Sequence, residues 1–382
     1  MKSGRIAIAG VGETEYLRAS PDSMLAMVVQ AARRAIADAG LQPADIDGLI
    51  NSDGQPPLDE IAAGLGILER PYTANPSVRA GAATVGALMH AQMAIEAGVA
   101  TAVLITHGAK ASKPGGPYAF HEQDPLKGAL EMPVGFFGQP AYFATMAERY
   151  AYEHGLDEET LSAVPISARA WAALTPNAQQ HKPLDFEVYR ASPMIASPFR
   201  IADCCLMTDG ACAYVVTSIE RARDLPRPPV VVQGVGLGSL PYTLSRVLTQ
   251  NADILDLPAR LSAPRAYAMA GVTPADLDFA QVYDCFSISA ILQVEQLGLC
   301  GRGEGARFFA QGHTRPGGRM PVNTSGGHMA QGYVPGANLV VEAVNQLRGA
   351  RGEGQVAGAR IGAVAGLGAN AHATAILSRD DA

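Results

Sequence analysis

Two stretches decide the fold when laid side by side: GALMHAQMAIEAGVATAVLITHG, residues 86–108, and GANLVVEAVNQLRGARGEGQVAGARIGAVAGLG, residues 336–368. Each opens with an apolar run at helical spacing that stops at a glycine, and closes with a short apolar run of strand length. Such strands, apolar on both faces, fit a buried parallel sheet. One pattern written twice, about a domain's length apart, reads as an internal duplication.

Working outward, RIAIAGVGETEY (5–16) reads as a strand and loop, SMLAMVVQAARRAIADAG (23–40) as an amphipathic helix stopped at Gly40, and IDGLINSDG (46–54) as a short strand. The order is βαβαβ. It restarts after the proline-rich LPRPP (225–229): VVVQGVGLGS matches IAIAGVGET, ARLSAPRAYAMAG takes the place of the first helix, and FAQVYDCFS (279–287) supplies the next strand. The expected architecture is α/β with duplicated halves, residues 1–225 and 226–382. A tract from about 108 to 200 interrupts the first half and carries most of the aromatics, Trp171 among them, so it reads as an inserted loop domain covering a site.

Composition narrows the function. With 382 residues, 48% hydrophobic, the chain is long enough for a large core without staples. A net charge of −7 with no cluster of Lys and Arg offers no footprint for nucleic acid. The opening residues read as a first strand and not a signal peptide, and no run reaches membrane-span length without glycine or charge. Five cysteines, an odd number without CxxC spacing, suggest neither a disulfide framework nor a zinc ribbon, and a reduced cytoplasmic setting fits them. His107, His121, His154, His181 and His313 lack metal-ligand spacing, so no metal is expected. Lys110 and Lys113 lie in polar or proline-rich surroundings, whereas a Schiff-base lysine needs desolvation.

The chemistry gathers in QVYDCFSISA (281–290), where Tyr283, Asp284 and Cys285 stand together before a helix, and in NTSGGHMAQGYVPGAN (323–338), which holds His328 and Tyr333. With ADCCLMTDGACAYVV (202–216), these stretches resemble the sterol-carrier-protein type of thiolase over nearly the whole chain. The resemblance implies a thiolase fold, with five α-β-α-β-α layers, and a homodimer. It also implies a nucleophilic cysteine at the start of the first buried helix, but that place falls on Gly81. Where the family has His in its His-Asp-Cys-Phe motif stands Tyr283, and where it has the His of Gly-His-Pro stands Tyr333. The family's C-terminal cysteine is missing from AVAGLGANAHA (363–373) as well.

These departures are similar to those of the thiolase-like aldolases called lipid-transfer proteins. That resemblance implies retro-aldol cleavage of a β-hydroxyacyl-CoA with a steroid or other polycyclic side chain, giving a ketone and acetyl-CoA or propionyl-CoA. It implies paired tyrosines and a small zinc-ribbon, oligonucleotide-fold partner. A tyrosine hydroxyl both donates and accepts a proton, so Tyr283 and Tyr333 are the expected acid and base, with no cofactor beyond the CoA of the substrate. Asp284 either orients a tyrosine or caps the next helix. His328 either assists a relay or bonds to backbone. Cys285 is either a residual acid/base or a packed residue, and Cys204 and Cys205 receive no role. Gly81, Ser325, Gly326, Gly327 and Gly368 are expected to let backbone approach the thioester. Two other readings stand beside the aldolase: an acyl-CoA or lipid-binding protein without turnover, and a thiolase using Cys285.

Overall fold

The computed structural model describes residues 5–52, 54–112, 127–240, 253–368 and 370–380; Lys113 and His121 lie outside them. The first half runs β1 (Ile6–Glu13), α1 (Met24–Asp38), β2 (Gly48–Asn51), α2 (Leu58–Leu65), β3 (Tyr72–Ala74), α3 (Ala80–Glu96) and β4 (Ala102–Lys110). Helices Gln139–His154, Glu158–Ala172 and Phe186–Ala191 follow, then a small hairpin, β5 (Met194–Ala196) and β6 (Phe199–Arg200), and β7 (Asp209–Ser218). The second half contributes β8 (Val230–Ser239), β9 (Phe279–Gln281), β10 (Ile361–Gly368) and β11 (Ala371–Arg379). Its main helices are Ala259–Ala270, Ser287–Gln296 and Ala337–Leu347. The insertion is therefore mainly helical: apolar residues spaced three and four apart bury Leu161, Val164, Ala168 and Trp171 on one face of Glu158–Ala172.

The duplication is visible in the strand order, β3-β2-β4-β7-β1-β8-β11-β10-β9. From the centre outward, β1, β7, β4, β2 and β3 match β8, β11, β10, β9 and a single parallel bridge, Ala280 to Val322, at the place of a fifth strand. In both halves the first two pairings are antiparallel and the outer ones parallel. Among the described residues the two halves of the sheet pair only through Ala7 with Val231 and Ile8 with Val230.

Side-chain alternation along the strands builds the layers. Ala7, Leu104 and Val215 face α1, while Ile6, Ile8, Val103 and Ile105 face the middle, where α3 and Ala337–Leu347 lie between the sheets. On the other sheet Val364 points to that middle layer, and Ala363 and Ala365 point outward to Ala259–Ala270 and the helices of the insertion. The result is α-β-α-β-α. The middle helices are buried nearly all round, α3 through Ala82, Ala83, Val85, Leu88 and Ala91 among others.

One element differs from the sequence reading. The strand beginning FAQVYDCFS joins the large sheet only over Phe279–Gln281, with a separate antiparallel bridge from Phe286 to Cys204. Beyond it side chains replace the neighbouring strand: Asn323 Oδ1 accepts from the Val282 N–H at 2.7 Å, and the Gln293 carboxamide takes the backbone N–H and C=O of Tyr283 at 3.2 and 2.6 Å. Tyr283 thus leaves the sheet and turns toward the middle layer.

Candidate active site

Three segments from distant parts of the chain meet at the end of β9. The first turn of α3 brings Gly81, the loop after β9 brings Tyr283 to Cys285, and the glycine-rich turn before Ala337–Leu347 brings His328 and Tyr333. Close backbone packing makes the meeting possible. A Cβ on Gly336 would stand 2.7 Å from Gly81 Cα, and one on Gly366 would overlap the Gly81 carbonyl. Just before Gly81, Ala80 has φ +50°, a left-handed conformation costing about 1–2 kcal/mol for an ordinary residue. Thr84 secures this turn, its hydroxyl lying 3.0 Å from the Ala80 carbonyl and 2.5 Å from that of Pro335.

The hydroxyls of Tyr283 and Tyr333 are hydrogen-bonded at 2.6 Å. Tyr283 is 3% exposed, while Tyr333 is half-buried, its backbone N–H held by the Thr208 hydroxyl at 2.8 Å. Burial pushes the Tyr283 phenol well above its ordinary value of about 10, and Tyr333 and Cys285 nearby add to the rise. The ring of His328 stands edge-on to both tyrosines, with centroids 4.5 Å from Tyr283 and 5.2 Å from Tyr333.

Asp284 does not cap the helix that follows it, whose N-cap is Phe286; it holds the turn at His328. Its Oδ1 accepts from the His328 backbone N–H at 2.8 Å, at the start of the short helix Gly327–Ala330, and lies 3.2 Å from His328 Nδ1. His328 Nε2 accepts from the Gly336 N–H at 3.1 Å. A neutral ring accepting at Nε2 carries its proton on Nδ1, facing the carboxylate. His328 therefore ties the Asp284 loop to the turn that positions Gly81, and its wedge between the phenol rings sets their approach.

Cys285 is buried beside Ser289, Sγ to Oγ 3.5 Å, and burial pushes its thiol up to about 12. A thiol in that state supplies almost no thiolate at neutral pH. Cys285→Ser is expected to retain kcat within about tenfold, since a thiol so buried is a poor nucleophile; loss of all turnover with normal folding would restore the Cys285 reading. Cys205 lies opposite, its N–H donating to the Cys285 carbonyl at 2.9 Å.

The remaining glycines and Ser325 make internal contacts. A Cβ on Gly327 would meet the Asp284 carboxylate, one on Gly326 would lie 2.7 Å from Ala172 Cβ of the insertion, and one on Gly368 would meet the Arg79 carbonyl. Ser325 donates to Gln331 Oε1 at 2.7 Å. Gln293 and Thr208, which hold the backbones of Tyr283 and Tyr333, and Asn323, which holds that of Val282, escaped the sequence reading. Gln293 had a signal, a glutamine in the otherwise apolar face of SISAILQVEQ, buried in the structure.

The described part of the insertion packs against the second half of the chain. Trp171 Nε1 donates to the Thr314 carbonyl at 2.8 Å, and Ser167 bonds the Thr314 hydroxyl at 2.8 Å. Lys110 pairs with Asp209 at 3.1 Å. Among the described residues no group of His, Cys, Asp and Glu is arranged to hold a metal ion, and no helix is long and apolar enough to cross a membrane.

Two bonded phenols beside Gly81, on a duplicated five-layer fold, mark the site, and comparison with known proteins gives the chain a family. Residues 242–379 match the thiolase C-terminal domain-like family. The 17-hydroxy-3-oxo-4-pregnene-20-carboxyl-CoA lyase of Mycobacterium tuberculosis is 35% identical over 91% of this chain and 93% of its own. A steroid side-chain-cleaving aldolase of Thermomonospora curvata is 34% identical over 91% of each chain. The acetyl-CoA acetyltransferase of Methanothermobacter thermautotrophicus is 33% identical over 97% of this chain and 98% of its own. The solved Ltp2-ChsH2(DUF35) aldolase superposes with a TM-score of 0.91 at 32% identity, covering 100% of this chain and 99% of that one. The chain belongs to the thiolase superfamily, in its branch of thiolase-like aldolases, and is a carbon–carbon lyase.

Proposed function

We propose that this protein cleaves a β-hydroxyacyl-CoA with a steroid or other polycyclic side chain by a retro-aldol reaction, releasing a ketone and acetyl-CoA or propionyl-CoA. The observation that carries the reading is the 2.6 Å bond between Tyr283 and Tyr333 beside Gly81. The names of the two lyase relatives support the substrate class. Identity alone separates aldolase from acetyltransferase poorly, at 35% against 33%; Gly81, which carries no nucleophile, favours the aldolase.

In this reading a proton passes along the pair. Tyr333, the more exposed, takes the β-hydroxyl proton as its own moves to Tyr283. The Cα–Cβ bond breaks, its electron pair forms the thioester enolate, and the oxygen left on Cβ becomes the ketone. In the same concerted step Tyr283, against Gly81, gives its own proton to Cα as it receives that of Tyr333, so neither phenol is ever doubly protonated. Atoms balance without free CoA, water or a covalent intermediate. No free tyrosinate forms, which suits a phenol whose burial resists ionisation. Asp284 and His328 hold the geometry and pass no proton of their own. Gly81, Ser325, Gly326, Gly327 and Gly368 remain the proposed surroundings of the thioester, with Gly81 nearest the tyrosines.

Two outcomes test the relay. In D2O the released acyl-CoA carries one deuterium at Cα, and a product without it contradicts enolate protonation. Because the working form of Tyr283 is protonated and its pKa lies above about 10, kcat stays level from about pH 7 to 10 and falls only beyond. A kcat rising through that range would indicate a tyrosinate base.

We also propose a homodimer and a small zinc-ribbon, oligonucleotide-fold partner. The unpaired outer edge of β3, which bonds only β2 among the described residues, supports the first. The two-protein Ltp2-ChsH2(DUF35) neighbour supports the second.

A further inference from the structure

Behind Tyr283 runs a buried polar chain that the proton relay does not use. Gln293 grips the tyrosine backbone at two points, Oε1 accepting its N–H at 3.2 Å and Nε2 donating to its C=O at 2.6 Å. Nε2 also donates to the Ser289 carbonyl at 2.9 Å, and Oε1 lies 3.3 Å from His372 Nε2. On the other side of that ring, His372 Nδ1 lies 2.7 Å from the Ser262 hydroxyl, which is 3.0 Å from that of Thr374. Gln293, His372, Ser262 and Thr374 are all fully buried.

The roles of these groups are mutually determined. Burial pushes His372 down to about 3, so its ring is neutral and has one donor and one acceptor nitrogen. Gln293 Oε1 offers no proton, so the contact with His372 is a hydrogen bond only if Nε2–H donates. Nδ1 then accepts, and the Ser262 hydroxyl at 2.7 Å is its nearer donor, that of Thr374 lying at 3.4 Å. The amide has one orientation that satisfies both the tyrosine backbone and the histidine. Flipping it would set Nε2–H against the Tyr283 N–H and Oε1 against two carbonyls. Buried polar groups with a single satisfying arrangement specify position sharply.

We propose that Gln293, fixed by His372 and Ser262, is the positioning residue for Tyr283, holding its hydroxyl in line between Tyr333 and the reacting carbon. The contacts come from three elements, Ser287–Gln296, β11 and Ala259–Ala270, so the tyrosine is referenced to the second sheet and its outer helix. A proton donor misplaced by about 1 Å loses about a hundredfold in rate. The inference rests on the reading of Tyr283 as the proton donor.

The test is a double-mutant cycle with the whole protein and a tertiary β-hydroxyacyl-CoA of a steroid side chain. Gln293→Leu is expected to lower kcat by about ten- to a hundredfold with KM within about twofold, and to add almost nothing to Tyr283→Phe. Should Gln293→Leu fold poorly, Ser262→Ala removes only the hydroxyl that meets His372 Nδ1 and is expected to lower kcat several-fold at unchanged KM. An effect of either variant that persists in full in the Tyr283→Phe background, or that appears in KM alone, overturns the positioning role. If Tyr283→Phe itself turns over normally, the retro-aldol assignment of that tyrosine has failed instead.

Discussion

Tyr283→Phe lowers kcat by about 10²–10⁴, the range typical for loss of a positioned proton donor or acceptor. The ring stays in its buried slot against Gly81 and His328, so packing is preserved and only the hydroxyl goes. Stability should change little, since one hydroxyl bond contributes about 1 kcal/mol net and its partner Tyr333 is half-buried and able to meet water. KM for the acyl-CoA stays near the parent value. Tyr333→Phe should fall by a comparable factor, and the double variant by little more than either, because the two hydroxyls act in one relay. Steady-state kinetics on the three variants, with thermal melting as the folding control, decide it. Independent, multiplying losses would mean that the tyrosines serve separate steps.

Gly81→Cys is the second large effect, and it runs against simple restoration of thiolase chemistry. A Cβ at this position would lie 2.6 Å from Tyr283 Cε2 and 3.0 Å from Gly366 Cα. The tyrosine ring fills the volume that a side chain at 81 would need, so nucleophile and tyrosine exclude each other. Overpacking of this kind costs about 1–3 kcal/mol and displaces the ring. The variant should therefore lose nearly all lyase activity, melt lower, and form no acyl-enzyme with acetyl-CoA. Intact mass after incubation with acetyl-CoA, together with a melting curve, checks both halves. An acyl adduct on residue 81 would show that the exclusion is softer than the packing implies.

That exclusion explains where the sequence was readable and where it was not. The duplicated halves were legible because apolar spacing changes from helical to strand-like at the same points in both. The two tyrosines were legible through resemblance, standing in YDCF and GYVPG where the thiolase motifs have histidine. The contact between residues 81 and 283 was not, since no local pattern reports that two segments about 200 residues apart share one slot. The strand containing Tyr283 was overextended for a related reason: Asn323 and Gln293 substitute for a neighbouring strand, and side-chain replacement of a ladder leaves no periodic trace. The insertion's helical character was hidden behind its prolines, one of which, Pro165, lies inside a helix. Gly326, Gly327 and Gly368 were assigned to substrate approach from their type alone. In the structure each already accommodates a neighbouring part of the chain.

The most direct measurement of the central claim is product analysis by mass spectrometry. The purified protein, co-expressed with a zinc-ribbon partner, is incubated with a tertiary β-hydroxyacyl-CoA of a steroid side chain and no added CoA. Stoichiometric ketone and acetyl-CoA or propionyl-CoA, with the protein mass unchanged, is the predicted result. Substrate that remains intact while demonstrably bound, or cleavage that requires free CoA and leaves an acylated protein, would contradict it.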